Sequence, residues 1–160
     1  MDLKQSWITG LSFGLTSGVI TTLGLMVGLH SGTHSTLAVA GGVITIAIAD
    51  ACSDALGIHV AEESRATRNT LAIWEATIAT LITKMAVALT FLVPIFLFEL
   101  STAIVVAVVW GLLLLTVLSW RLARHRGESA LPVVGEHLLI AVVVIVATHY
   151  VGDWVAIAFA

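Results

Sequence analysis

The residues best suited to chemistry in this sequence are charged groups within long apolar segments. Asp50 and Asp54 lie in the segment GGVITIAIADACSDALG, and Lys84 lies in the next apolar segment. Residues four apart share one face of a helix and are separated by about 6 Å along its axis, so both carboxylates can line one pathway. A charge at the centre of a membrane costs about 2.5–3.5 kcal/mol on insertion scales. Two aspartates at that depth therefore indicate binding of cations or protons.

Lys84 allows two interpretations of this pair of aspartates. It lies at nearly the same predicted depth as Asp50, so it can neutralise one aspartate in a structural ion pair and leave the other without a counter-ion. It can also act as a surrogate cation that competes with a transported ion for the carboxylates. The sequence leaves both interpretations open, and it leaves open whether Asp50 or Asp54 is the partner.

More imidazole and carboxylate groups follow at the end of the same segment. His59 and Glu63 are one helical turn apart, and Glu62 precedes Glu63. Imidazole and carboxylate are ligand types that suit Mn²⁺ and Fe²⁺, so we expect these three residues to extend a metal site. The alternative is that Glu62 and Glu63 are solvated and offset the charges of Arg65 and Arg68.

Three further groups are candidates for proton coupling or ion pairing. Glu75 follows across a short connection, and His149 and Asp153 repeat the four-residue spacing in the last apolar segment. A neutral imidazole can relay a proton or bind a metal, although a hydrogen-bonded structural histidine is the alternative. The predicted site thus has two parts: metal ligands at Asp50, Asp54, His59, Glu62 and Glu63, and proton-coupling or ion-pairing groups at Lys84, Glu75, His149 and Asp153.

Membrane-spanning helices must position these residues. Of 160 residues, 59% are hydrophobic and 11% are charged, which leaves too little polar surface for a soluble globule and excludes soluble enzymes and nucleic-acid-binding proteins. The chain has no H-E-x-x-H motif, and Asp50 and Asp54 share one predicted helix instead of facing each other across two, so we do not expect an enzyme. We predict an all-α integral membrane protein with a single transmembrane domain over 1–160 and five helices at about 7–29, 36–61, 70–98, 102–121 and 133–158.

The distribution of basic residues predicts the orientation of these helices. Six of the seven lie before the first helix or in the second and fourth connections: Lys4, Arg65, Arg68, Arg121, Arg124 and Arg126. The positive-inside rule then places the N-terminus in the cytoplasm and the C-terminus outside. We expect a multi-pass protein of the cell membrane of a prokaryote.

The first helix carries glycines at four-residue spacing, Gly10, Gly14 and Gly18. Such spacing lets another helix backbone approach closely, either within the bundle or from a second chain. Five short helices enclose little volume, and the sequence shows no convincing internal repeat that could form a two-sided pathway. We therefore expect a homodimer in which these three glycines form the contact between chains.

The segments GLSFGLTSGVITTLGLMVGL and SDALGIHVAEESR resemble the vacuolar iron transporter family, and the resemblance covers most of the chain. It rests on the Gly-Leu-rich first helix, the Ser-x-Ala-x-Gly pattern at Ser53, Ala55 and Gly57, and a third helix that ends around FLVPIFLF. The resemblance implies a homodimeric, proton-coupled exporter of Fe²⁺ or Mn²⁺ from the cytoplasm, with the first helices of two protomers lining the path. It implies a transported ion and no permanently bound cofactor.

The sequence departs from the family pattern at three positions. Phe13 stands where the family usually has Asp, Asp54 where it has Met, and Ile58 where it has Glu. The connection at 62–69 is also too short for the metal-binding insert of many eukaryotic members. Exchange of Met for a carboxylate favours Mn²⁺, Fe²⁺ or even Mg²⁺ and Ca²⁺ over softer metals. We expect an Fe²⁺ or Mn²⁺ transporter; the alternative is a non-transporting membrane assembly or sensor protein with structural ion pairs.

Overall fold

The computed structural model describes residues 3–65 and 69–159, with side chains described from residue 5 onward. Both ranges are helical and contain no strand. Five segments are long and apolar enough to cross a membrane, as expected for a multi-pass membrane protein. The helices are α1 (Leu3–Thr33), α2 (Thr36–Glu63), α3 (Thr70–Thr90), α4 (Leu92–Leu97), α5 (Leu100–Arg126) and α6 (Ala130–Ala158).

The predicted third helix, 70–98, is two helices within one span. Pro94 has no N–H to donate to the carbonyl of Thr90, so the regular hydrogen-bond series is interrupted there. The N–H of Phe91 instead donates to the carbonyl of Ala88 at 3.1 Å, which tightens the last turn of α3. Pro94 is then the third residue of α4, where an intrahelical N–H bond is not required.

Helix α5 runs five residues beyond its predicted end at 121. Its last turn contains Arg124, His125 and Arg126, and basic side chains are favourable near a helix C-terminus. The helix stops at Gly127, which has φ 72°, a left-handed conformation that glycine adopts at little cost. The apolar segment of the sequence therefore ends before the helix does.

Helix α1 is the central element of the bundle and packs against α2, α3, α5 and α6. Its first glycine series faces α3 of the same chain. A Cβ on Gly14 would lie 2.8 Å from the carbonyl oxygen of Thr80, and one on Gly18 would lie 3.3 Å from that of Lys84. A Cβ on Gly10 would likewise be too close to the backbone carbonyl oxygen of Ala76.

This packing corrects the prediction that Gly10, Gly14 and Gly18 form a contact between two chains. Small residues at four-residue spacing favour close approach of any helix, and within this chain α3 occupies that face. Later in α1, Gly24 and Gly28 face α6 in the same way. Both glycine series of α1 are therefore used within the bundle.

Candidate ion site

The centre of the candidate site is Lys84, which is 2% exposed on α3. Its Nζ lies 2.6 Å from Oδ2 of Asp50 and also contacts Oδ2 of Asp54. The four-residue spacing of the aspartates places both carboxylates of α2 on the side that faces α3. Lys84 thus pairs with both aspartates rather than with one of them, and the three groups together carry one net negative charge when all are ionised.

Helix α1 contributes Ser17 to this cluster. The Ser17 hydroxyl donates to Oδ2 of Asp54 at 2.6 Å and accepts a hydrogen bond from Nζ of Lys84 at 2.8 Å. The sequence reasoning did not include Ser17. Its position one residue before Gly18 was the available signal, because the glycine brings the α1 backbone against the backbone and side chain of Lys84.

The cluster has a buried side and an open side. The side chain of Lys84 is 2% exposed, whereas those of Asp50 and Asp54 are 26% and 21% exposed. A cavity of about 560 Å³ between α1 and α2 reaches Asp50 and is also lined by Thr21 and Thr45. Asp50 can therefore be reached from this cavity, which Lys84 does not line.

His59 contacts α3 rather than joining the two aspartates. Its Nδ1 lies 3.0 Å from Oγ1 of Thr77, and its ring meets the Trp74 ring with centroids 4.8 Å apart. The Thr77 hydroxyl donates its proton to the carbonyl of Ile73, so Nδ1 of His59 is the donor in its hydrogen bond with Thr77. In this arrangement His59 is a packed, hydrogen-bonded residue.

The remaining predicted metal ligands lie further along α2. Glu62 is buried, with Oε1 3.4 Å from Nη1 of Arg65, and Glu63 is exposed. Arg68, to which we assigned a compensating charge, lies outside the described residues, as does the side chain of Lys4. Within the described ranges, no three His, Cys, Asp or Glu side chains are grouped closely enough to hold a metal ion.

The five predicted ligands therefore do not form a single metal site. Asp50 and Asp54 lie together. His59 lies more than one helical turn beyond Asp54 on α2, and Glu62 and Glu63 lie further still at a rise of about 1.5 Å per residue. Glu75 is also separate from the cluster, since it precedes Lys84 by nine residues on α3. Oε2 of Glu75 is buried and has no hydrogen-bond partner among the described residues.

A second polar cluster lies between α1 and α6, near the end of α1. Nε2 of His149 is 3.5 Å from Oδ2 of Asp153, and the Ser31 hydroxyl donates to Oδ1 of Asp153. His30 and His34 extend this cluster, with ring centroids 5.4 Å apart. The structure thus brings the predicted pair His149 and Asp153 together. His30 and His34 were not predicted, because their proximity to His149 depends on the packing of the end of α1 against α6.

No known protein family matches the chain, and no curated protein is significantly similar to it in sequence. The resemblance to the vacuolar iron transporter family stays a prediction that rests on the sequence segments given above.

Proposed function

We propose that this protein transports a divalent transition-metal ion, Fe²⁺ or Mn²⁺, out of the cytoplasm in exchange for protons. The observation that carries the proposal is the placement of Lys84 between Asp50 and Asp54 in segments able to span a membrane. Charges in the interior of a membrane-spanning segment are energetically costly, and a cation-binding role explains why two carboxylates share one ammonium group there. The distribution of basic residues supports an N-terminus in the cytoplasm, and the direction of transport is the one that the family resemblance implies.

The charges of the cluster give the exchange a simple form. Two carboxylates are neutralised either by one divalent ion or by the Lys84 ammonium together with one bound proton. Entry of the metal ion then releases the bound proton and a second proton from Lys84, whose neutral amine leaves Asp50 and Asp54, so that the two positive charges entering the cluster are matched by two that leave it. Lys84 is buried and Asp50 lines the cavity, so the ion reaches Asp50 without first passing the lysine.

A homodimer remains part of the proposal, but a different face supports it. Small residues recur every four positions on an exposed face of α2, from Gly41 to Gly57. A Cβ on Gly41 or on Gly57 would meet no other atom within 4 Å. The partly exposed carboxylates border this face, where lipid would otherwise meet them at a high energetic cost. A second chain on α2 would shield the carboxylates from lipid, and the cavity beside Asp50 would then open between the two chains. The residues of this face are Gly41, Thr45, Ala49, Ser53 and Gly57.

One observation favours the alternative of a non-transporting membrane assembly or sensor protein. Lys84, Ser17 and both aspartates already contact one another, so the cluster can serve as a structural ion network without any transported ion. The two functions differ in one measurable property, which is metal flux.

The test is Mn²⁺ uptake into proteoliposomes that contain a metal-sensitive dye, with an imposed pH gradient. Asp50→Asn and Asp54→Asn keep the side-chain shape but remove the charge, and we expect each to lower the flux at least about tenfold, a loss of roughly 1.4 kcal/mol in transition-state or binding free energy. Glu99→Gln is the matched control, because Glu99 is exposed at the start of α5 and should keep wild-type flux.

Two results would contradict the proposal. Wild-type flux in both asparagine variants would show that the aspartates are not the ligands. Absence of flux driven by a pH gradient in a folded wild-type protein, together with a loss of thermal stability in both variants, would favour the structural ion network.

A further inference from the structure

A cavity unrelated to the ion cluster opens between α1 and α5. It has a volume of about 570 Å³ and is lined by one face of α1 from Gln5 to Phe13 and by α5 from Leu122 to Arg126. The two helices touch further along, where a Cβ on Gly111 would lie 2.6 Å from Cδ1 of Leu23. They therefore separate only near the C-terminal end of α5, and we call the resulting space the α1–α5 cleft.

The lining of the α1–α5 cleft has its charged group at one end and mixes hydroxyl and apolar side chains beyond it. Gln5, His125 and Arg126 lie at the end where α5 terminates. Phe13 lies about 12 Å further along α1, from a rise of about 1.5 Å per residue, and Leu122 lies one turn before Arg126. Ile8, Phe13 and Leu122 supply apolar surface, and Thr9 and Ser12 supply hydroxyl groups. A charged end beside hydroxyl and apolar groups suits a phospholipid, with its phosphate near the helix end and its glycerol oxygens and first acyl carbons deeper.

The end of the α1–α5 cleft where α5 terminates is basic. Arg126 lines the cleft, and Arg121 and Arg124 lie on the same end of α5 outside it. None of these three arginines forms an ion pair within the described parts of the chain. Arg124 stacks over the Trp120 ring at 5.8 Å, a contact typical of a membrane interface. This concentration of positive charge selects an anionic ligand, and basic pockets between transmembrane helices suit anionic lipid headgroups.

We propose that the α1–α5 cleft binds an anionic phospholipid, with Arg126 and His125 facing the phosphate and Phe13 and Leu122 facing the first acyl carbons. The site is distinct from the cluster of Lys84, and it does not depend on the transport function. Its ligand would fill the space that α1 and α5 leave open and would link the basic end of α5 to α1.

The test measures lipid binding to the purified protein in a neutral detergent, by native mass spectrometry with added phosphatidylglycerol or phosphatidylcholine. We expect wild-type protein to retain phosphatidylglycerol preferentially. Arg126→Gln should weaken that binding about fivefold, the effect of one arginine near an anionic membrane surface. Arg121→Gln is the control on the same helix, because Arg121 does not line the cleft, and it should change the affinity less than about twofold.

A second variant removes space instead of charge. Thr9 lines the cleft, and its hydroxyl donates only to the carbonyl of Gln5 in its own helix, so Thr9→Leu fills the cleft while the bundle stays folded. It should also reduce retention of phosphatidylglycerol. Equal binding of the two lipids, or unchanged binding in both Arg126→Gln and Thr9→Leu, would overturn the proposal. So would complete displacement by inorganic phosphate, which would identify a simple anion site, or a cross-link across the cleft between two copies of the chain.

Discussion

Replacement of Lys84 by methionine is the perturbation that most directly tests the ion cluster. Methionine keeps most of the side-chain length that packs against Gly18 but removes the charge. Two carboxylates that contacted one ammonium group are then left close together without a counter-ion. Loss of one partner from a fully buried ion pair costs about 3–5 kcal/mol.

The expected cost here is smaller, because the aspartate side chains are 26% and 21% exposed and a carboxyl group without a counter-ion can bind a proton. We expect Lys84→Met to lower the free energy of unfolding by about 2–4 kcal/mol, or the Tm by roughly 5–15 °C for a chain of this size. A double variant, Lys84→Met with Asp54→Asn, removes one of the stranded charges and should recover part of that loss.

Adding Mn²⁺ to the same variant separates the two roles of Lys84. If the ammonium occupies the metal position, Lys84→Met should bind Mn²⁺ more tightly than the wild type, and saturating metal should restore the Tm. If the ion network is only structural, the Tm should fall and Mn²⁺ should not restore it. An unchanged Tm with unchanged Mn²⁺ affinity would refute the reasoning altogether, because the described contacts would then contribute neither stability nor competition.

Three other substitutions test the packing and the hydrogen bonds around the cluster. Gly14→Leu should prevent folding or lower the free energy of unfolding by more than about 3 kcal/mol, since its side chain would meet the Thr80 backbone, and the yield of folded protein in membranes measures this. Gly57→Leu, on the exposed face of α2, should leave the fold intact and abolish only a dimer, as cross-linking would show; a stable dimer in this variant argues against that interface. Ser17→Ala should cost about 1.5–3 kcal/mol through the lost hydrogen bond to Asp54, and a Tm equal to that of the wild type would contradict the assignment.

The five spans could be predicted from the sequence because hydrocarbon forces every backbone polar group into an internal hydrogen bond, which ties apolar length to helix length. Helix ends were predicted less well. Arg124 and Arg126 continue α5 beyond its apolar segment, and a hydropathy boundary takes no account of the favourable charge at a helix C-terminus. The break at Phe91 was missed although Pro94 was visible, because the span continues through α4 without a change in hydropathy.

The part of the candidate site that could be predicted is the part in which contacts depend only on the depth of the residues along the membrane-spanning helices. Asp50, Asp54 and Lys84 have similar expected depths, and α2 and α3 are sequential neighbours, so an ion pair of Lys84 with one aspartate was one of two predicted interpretations. That Lys84 contacts both aspartates was not predicted. Ser17 did not, because its contact depends on how far α1 is rotated toward α3. His59 was wrongly grouped with the two aspartates, since its helical position directs it to Thr77.

The glycines of α1 and the charged cluster are structurally linked. Gly14 and Gly18 allow α1 to approach the backbone of α3 near Lys84, and that approach brings the Ser17 hydroxyl into hydrogen-bond contact with both the ammonium group and Asp54. The cluster therefore takes its groups from three helices, and a metal ion that displaced Lys84 would remove contacts of both α1 and α2 with α3. In the proposed exchange, binding at the carboxylates consequently changes the packing of the central helix. This gives an ion between α2 and α3 a direct physical means to move α1.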